Sequence, residues 1–360
     1  MSLSQLQIHH LRNIVSWRLT LNPRFNFFIG ANGSGKTSLL ESLYLLGTGH
    51  SFRTREIAPL IHHEHDALTV FAKTSTQDTL SIQKSRTGPT VVRLNQQFCQ
   101  SSSELARFLP CQVIYQDIFQ IIDSGSTVRR GLLDWGLFHV KPLYHGLWQD
   151  YRRALRQRNA LLRQGKDQRQ ILPWNMLLAD LGTQLHEFRQ AYFYQLAQLF
   201  NEVLGMLTEI QCNIHYEKGW DKKNSGQSLM SILEQQFHQD QERQTTLYGP
   251  HRADIVFEIT GPGKARQLLS RGQQKIILIA LKLAQAKLLT QPCTFLLDDI
   301  AAELDERHLQ RLLCCLGNTP GQFFITAIHA SLLSLFDQSG DHEVFYLPED
   351  EKLVSRETAR

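Results

Sequence analysis

The run Gly30-Ala31-Asn32-Gly33-Ser34-Gly35-Lys36-Thr37 most constrains what this chain can fold into. It fits G-x-x-x-x-G-K-[ST], a phosphate-binding loop that works only between a buried strand and a helix. Gly30, Gly33 and Gly35 let the backbone curl toward an anion with no Cβ in the way. The loop's N–H groups then form a nest for phosphate oxygens. Lys36 can reach the β- and γ-phosphates of a nucleotide, and the Thr37 hydroxyl can ligate Mg²⁺. The flanks agree. Phe25-Asn26-Phe27-Phe28-Ile29 reads as a buried strand entering the loop. Residues 37–46 read as a helix leaving it, with the positive end of its dipole on the phosphates.

Two later stretches ask for a similar site. Residues 293–297 are an apolar strand ending in Asp298-Asp299. A buried parallel strand delivers its carboxylates at its C-terminal end, where α/β sheets bind ligands. Asp298 then suits the Mg²⁺ shell and Asp299 the orientation of an attacking water. Leu269-Ser270-Arg271-Gly272-Gln273 precedes an apolar helix at 276–284. Ser270 is a natural N-cap. On a functional reading, Ser270, the Gly272 backbone and the helix dipole form a second phosphate-binding end. A strand at 111–115 ends in the polar pair Gln116-Asp117. Another at 322–326 runs out at His329, which either senses a γ-phosphate or caps the next helix.

Elsewhere the pattern is mixed. Leu3 to His10 alternates as a strand does, and 19–21 continue the alternation. Arg12 reads, unaided, as a surface arginine in a turn. Residues 69–73, 79–83 and 91–95 predict a small antiparallel sheet beside the nucleotide site. From about 127 to 237 helix formers dominate. Residues 151–162 and 176–207 predict two antiparallel helices with a break at Pro173 and Trp174. The apolar stripe of the second is Leu177, Leu181, Leu185, Phe188, Tyr192, Leu196 and Leu199. Arg152, Arg153, Arg156, Arg158, Arg163, Lys166 and Arg169 concentrate positive charge here. They form either a solvated helix face or a surface for nucleic acid or a partner, with Arg152, Arg153, Arg156 and Arg163 the DNA-binding candidates. His62, His63 and His65 read as a solvated loop, because no helix or strand aligns them on one face with a carboxylate. The net charge of +4 permits nucleic-acid binding without demanding it. Six cysteines without C-x-x-C spacing read as reduced thiols of a cytoplasmic protein. No stretch approaches the ~20 apolar residues of a membrane span.

A phosphate loop with a distal L-S-x-G-Q segment just before an acidic strand resembles the ABC-type ATPase head. Several further motifs are similar to the RecF family within that SMC-like superfamily, over essentially the whole length. They are Leu11-Arg12-Asn13, Ser51-Phe52-Arg53, Arg129-Arg130 with Leu133-Asp134-Trp135, Gly249-Pro250-His251-Arg252, and Leu297-Asp298-Asp299 through Glu303-Leu304-Asp305. The resemblance implies an α/β head, residues 1–117 and 246–360, with an inserted helical lid or short arm at 118–245 and no long coiled coil. It implies ATP and Mg²⁺ as cofactors, and weak ATP hydrolysis as a switch. It also implies an ATP-dependent homodimer, binding to DNA at gaps or duplex–single-strand junctions, a RecR-like partner and help in loading RecA. The phosphate loop would hold nucleotide with Arg12, Arg53 and Gln116, and Ser270, Gly272 and Gln273 would close on it from the other subunit. Lys36 and Asp299 would be catalytic, and Thr37 and Asp298 would hold the metal. The chain departs from the pattern at Gln116-Asp117, in place of Pro-Glu, at His329, in place of a small or acidic residue, and at Asp299, where many ABC heads have glutamate. An acid one methylene shorter suits a slow switch better than a motor. A transport-type or repair-type ABC head, or a DNA clamp with a vestigial ATP site, are the other classes. Transport heads lack the long helical insert, and the intact Lys36, Thr37, Asp298 and Ser270 argue against the clamp.

Overall fold

The computed structural model describes residues 2–221, 225–259, 269–301, 304–336 and 341–347. Ala302 and Glu303, within the motif that runs from Leu297 to Asp305, lie outside the described residues. Contacts divide the chain into two compact units, Met1–Ile118 with Leu289–Arg360, and Phe119–Leu288. Residues 246–288, assigned to the head from sequence, fall by contact into the second unit.

In the first unit, five strands form a parallel sheet in the order β13-β3-β12-β11-β8. They are β3 (Phe25–Ile29), β8 (Cys111–Ile114), β11 (Cys293–Leu297), β12 (Gly321–Ala327) and β13 (His342–Tyr346). β3 and β11 are buried at every position, as strands covered on both faces must be. Parallel register brings the strand ends level. Leu297 pairs with Ile114 and Ile325, and Ala327 pairs with Ile29. The phosphate loop, Gln116, Asp298-Asp299 and His329 therefore leave from one edge of the sheet.

An antiparallel sheet, in the order β2-β1-β4-β5-β6-β7, accompanies it. Its strands are β1 (Leu3–Leu11), β2 (Ile14–Thr20), β4 (Ala67–Thr74), β5 (Thr79–Ser85), β6 (Val91–Leu94) and β7 (Gln97–Phe98). The loop helix, Lys36–Thr48, packs against β1, β4 and β5 of this sheet and against β8, β11 and β12 of the other. Leu39, Leu40, Leu43, Leu45 and Leu46 are consequently all buried. A charge on such a helix must be paired, because burial strips its water. Glu41 is that charge, at 0% exposure.

The second unit is mainly helical. The helices Tyr144–Arg163 and Gln168–Leu207 pack on each other, and Arg271–Lys287 packs on Gln168–Leu207. β9 (Cys212–Glu217) pairs antiparallel with β10 (Asp254–Ile259). These contacts draw 246–288 into this unit. Pro173 does not break the long helix, which runs unbroken for 40 residues. It stands near the N-terminus, where the loss of its N–H forfeits one bond to the Arg169 carbonyl. The Asp167 carboxylate accepts from the Gln170 N–H at 2.9 Å and fixes the start. The buried stripe is also rotated from the expected one. Leu177 is exposed, while Leu178, Gly182, Leu185, Arg189, Tyr192, Leu196 and Phe200 are buried. A glycine and an arginine in the stripe hid it from a count of apolar residues.

Candidate functional site

The loop between β3 and its helix is held in a shape that few sequences allow. Gly33 and Gly35 have φ of 87° and 93°, the left-handed region that favours glycine. A Cβ on Gly30 would stand 2.7 Å from Ser34 Oγ, and one on Gly35 would stand 3.0 Å from the Trp17 ring. Asn13, in the β1–β2 turn, braces the loop from outside. Its amide donates to the Gly33 carbonyl at 2.8 Å, and its Oδ1 accepts from the Ser38 hydroxyl at 2.9 Å. Lys36 folds back, its ammonium donating to the carbonyls of Gly30 at 2.6 Å and Ala31 at 2.8 Å. Burial pulls its pKa below the ordinary lysine value, against the opposing pull of Asp299 and Asp298. Ser34 Oγ is buried and has no hydrogen-bond partner among the described residues. An orphaned donor inside a nest of N–H groups suits a phosphate.

The acids arrive from β11. The Thr37 hydroxyl lies 3.1 Å from each oxygen of Asp298, so the start of the loop helix and the end of β11 meet directly. Burial pushes the Asp298 carboxyl above its ordinary pKa, while Thr326, Thr37 and Arg53 pull it down. A divalent cation would offset that burial, and a threonine hydroxyl beside a carboxylate is the donor set Mg²⁺ takes. Asp299 sits at φ 45°, uncommon for a non-glycine residue. Its N–H donates to Thr326 Oγ1 at 2.8 Å, and the Thr326 hydroxyl donates to Asp298 at 3.0 Å. Thr326, 0% exposed on β12, thus fixes both acids. In the sequence it is one more residue of the strand at 322–326; only the parallel register brings it beside β11.

A cleft of about 440 Å³ is lined by Arg12, Asn13, Asn32, Gly33, Gly35, Lys36, Thr37, Ser38, Arg53, Gln116, Asp298 and Asp299. It gathers most of the residues expected at the nucleotide, from five separated stretches of the first unit. Arg12 pairs with Glu41. Arg53 and Gln116 are exposed at the cleft. His329 stands at the start of a short 3-10 helix, Ala330–Leu335, and its side chain makes no capping bond.

Ser270 lies in the second unit as the N-cap of Arg271–Lys287. Its hydroxyl accepts from the Gln273 N–H at 3.3 Å, and the Gln273 side chain accepts from the Ser270 N–H at 2.9 Å. Arg152, Arg153, Arg156 and Arg163 are exposed on Tyr144–Arg163. Arg152 lies over the Trp148 ring at 4.5 Å, and Arg153 pairs with Asp150 at 3.2 Å. Arg158 departs from its neighbours: it is 0% exposed and bonded to Asp240, Thr246 and Asn175, each at 2.7 Å. Other motif residues also prove to be internal ties. Arg129 chelates Asp254 with both bonds at 2.8 Å, and Arg189 joins Asp134 and the Pro250 carbonyl, each at 2.7 Å. His251 Nε2 donates to the Thr246 carbonyl at 2.9 Å, so Nδ1 accepts from the Tyr151 hydroxyl at 2.7 Å. Burial lowers the His251 pKa to about 4.

The histidine loop differs from expectation in one respect. A turn, rather than a helix or strand, brings donor atoms of His62, Glu64 and His65 within 4.8 Å of one another. The His62 Nδ1 already accepts from the Glu64 N–H at 3.3 Å, and the His10 ring stacks on His65 at 3.5 Å. These rings serve the turn, and we assign no metal to them. No helix among the described residues is long and apolar enough to cross a membrane.

Comparison with known proteins adds to this geometry. A family model described as the RecF/RecN/SMC N terminal domain matches residues 2–341. The DNA replication and repair protein RecF of Pseudomonas fluorescens is 38% identical over 343 residues, covering 92% of this chain and 92% of that protein. Its namesake in Erwinia tasmaniensis is 37% identical over 349 residues, covering 94% and 96%. Among solved structures, the recombination mediator protein RecF with ATP, of the RecFOR pathway, superimposes with a TM-score of 0.79 at 23% identity over 92% of each chain. An SMC head bound to the C-winged helix domain of ScpA gives 0.60 at 15% identity, over 94% of this chain and 92% of that one.

Proposed function

The chain belongs to the RecF family of DNA replication and repair proteins, with the fold of an ABC-type ATPase head, and from that premise we propose that it is a cytoplasmic, ATP-switched DNA-binding recombination mediator. ATP occupies the loop cleft. Lys36 leaves its two carbonyls for the β/γ-phosphates, and the loop N–H groups and Ser34 hydroxyl hold the phosphate oxygens. Thr37 and Asp298 would hold Mg²⁺, which would supply positive charge beside the phosphates. Asp299 orients the water that attacks the γ-phosphorus; the bond to the ADP oxygen breaks, releasing ADP and inorganic phosphate. Arg12, Arg53 and Gln116 complete this half of the site. Ser270, Gly272 and Gln273 of a second subunit close on the γ-phosphate, so ATP makes a homodimer.

The dimer binds gapped or duplex–single-strand junction DNA, works with a RecR-like partner and supports loading of RecA. Arg152, Arg153, Arg156 and Arg163 are the phosphate-contacting candidates. The observation that carries the reading is the Thr37–Asp298 contact. It joins two motifs 261 residues apart in the arrangement that a nucleotide–metal site needs. A gel-shift panel of single-stranded, duplex and gapped DNA, with and without ATP and Mg²⁺, tests it. Tightest binding to gapped DNA with ATP is expected. Binding that ignores ATP, or the absence of any shift, refutes the proposal.

A further inference from the structure

Glu41 is fully buried on the loop helix, yet no part of the nucleotide chemistry above uses it. Its two oxygens hold partners from both sides. Arg12 reaches it with Nε and with Nη2, the latter at 2.9 Å to Oε1, and the Ser51 hydroxyl donates to Oε1 as well. Ser51 Oγ in turn accepts from the N–H groups of Arg53 at 2.9 Å and Thr54 at 3.1 Å. Arg12 and Arg53 are two of the cations lining the cleft. One carboxylate thus fixes the side chain of the first and the backbone of the second.

A fork held through Nε and one Nη2 N–H presents its remaining donors, the second Nη2 N–H and the two of Nη1, in a fixed direction. Arg12 also sits at φ 52°, and its N–H donates to the Leu60 carbonyl at 2.8 Å. Backbone and side chain are therefore both set before a ligand arrives. An arginine left to search its rotamers would lose more entropy on binding a phosphate.

We propose that Glu41 is a positioning residue for the nucleotide cleft. It holds the Arg12 guanidinium with its remaining donors available to an anionic ligand and, through Ser51, sets the backbone that carries Arg53. This rests on reading the cleft as an ATP site. The ligand class is a nucleoside triphosphate, and Glu41 acts on it only through the two arginines. A plain structural role would instead lower the stability of the unligated protein and leave the affinity of the folded fraction unchanged.

The test is a double-mutant cycle on ATP affinity in Mg²⁺, by titration calorimetry, with the thermal midpoint of each unligated protein measured alongside. Arg12→Ala and Glu41→Gln should each weaken ATP about tenfold, the worth of one charge-assisted hydrogen bond. The double variant should lose less than the sum of the two single losses, the shortfall being the part of the Glu41 effect that runs through Arg12 and the remainder the part that runs through Arg53. Glu41→Asp keeps the charge and should show a smaller loss that shrinks beside Arg12→Ala; it carries the cycle if Glu41→Gln does not fold. Additive losses, or wild-type affinity in the Glu41 variants, overturn the proposal while leaving the ATP site intact. A wild type that binds no ATP, with Lys36→Ala no different, removes the ATP reading itself and this inference with it.

Discussion

Lys36 holds its charge against two backbone carbonyls, an arrangement that a phosphate would replace at little cost. Lys36→Ala should abolish ATP binding. Lys36→Arg should keep some binding and lose hydrolysis, because a planar fork cannot copy a point charge. Normal hydrolysis in Lys36→Ala would remove the site assignment. Asp299 offers a different signature. If it orients water, Asp299→Asn should slow turnover by ~10²–10⁴-fold, the usual worth of a general base. ATP binding should survive, since Asp298 remains; joint loss of binding and turnover would make Asp299 a metal ligand. His251 predicts a pH effect with a defined sign. It is held neutral in the fold, with its pKa lowered to about 4 from 6.5. Between those values the unfolded chain takes up more protons, so stability rises with pH there and falls as pH drops from 6.5 toward 4. His251→Gln should flatten that limb of the melting temperature against pH; an unchanged slope would assign it to other groups. The loop and the two acids were legible in sequence because their chemistry is local. Thr326 and Glu41 were not, since neither differs from a common strand or helix residue until its neighbours are known.

At the scale of elements, the core strands were readable from short apolar runs, and β3 matches its expected bounds. Their order was not, because parallel pairing joins segments hundreds of residues apart. The helix Ser102–Phe108 and strand β9 went unread: one is short, and the other, though it alternates apolar and polar, lies within a stretch dominated by helix formers. The positive helix Tyr144–Arg163 shows how far composition reaches. Spacing located the charges, but Arg158 faces inward while its neighbours face out. The two kinds should respond differently. Replacing Arg156 and Arg163 with glutamine should lower the slope of log K against log salt by about two units, at roughly 0.9 per duplex phosphate contact. An unchanged slope returns these arginines to an ordinary solvated face. Arg158→Met should leave that slope alone and cost about 3–5 kcal/mol of stability, because Asp240 is left buried without its counter-charge. Chemical denaturation reads this cost, and a loss below 1 kcal/mol would contradict it.

For the whole molecule, the decisive quantity is the number of sites per chain. One chain supplies one phosphate loop, in its first unit, and one Ser270 segment, in its second. Ser270 and Gln273 cap each other at the start of a 17-residue helix, so that end is ordered before any ligand arrives. A two-fold dimer would set each Ser270 end on the γ-phosphate held by the other subunit, closing two equivalent sites. ADP lacks that phosphate, and a ligand shifts an equilibrium only by its differential affinity for the two states. ATP should therefore drive dimerisation and ADP much less. Ser270→Arg places a bulky cation at the closing surface; it should block the dimer while leaving ATP bound to the monomer. Ser270→Ala serves as its control, losing only the cap, worth about 1 kcal/mol of stability. Sedimentation of all three proteins with ATP, with ADP and without nucleotide reads the outcome. A wild type that stays monomeric with ATP and DNA, or a Ser270→Arg protein that dimerises as the wild type does, would show that the switch does not work by closing two chains around shared nucleotides.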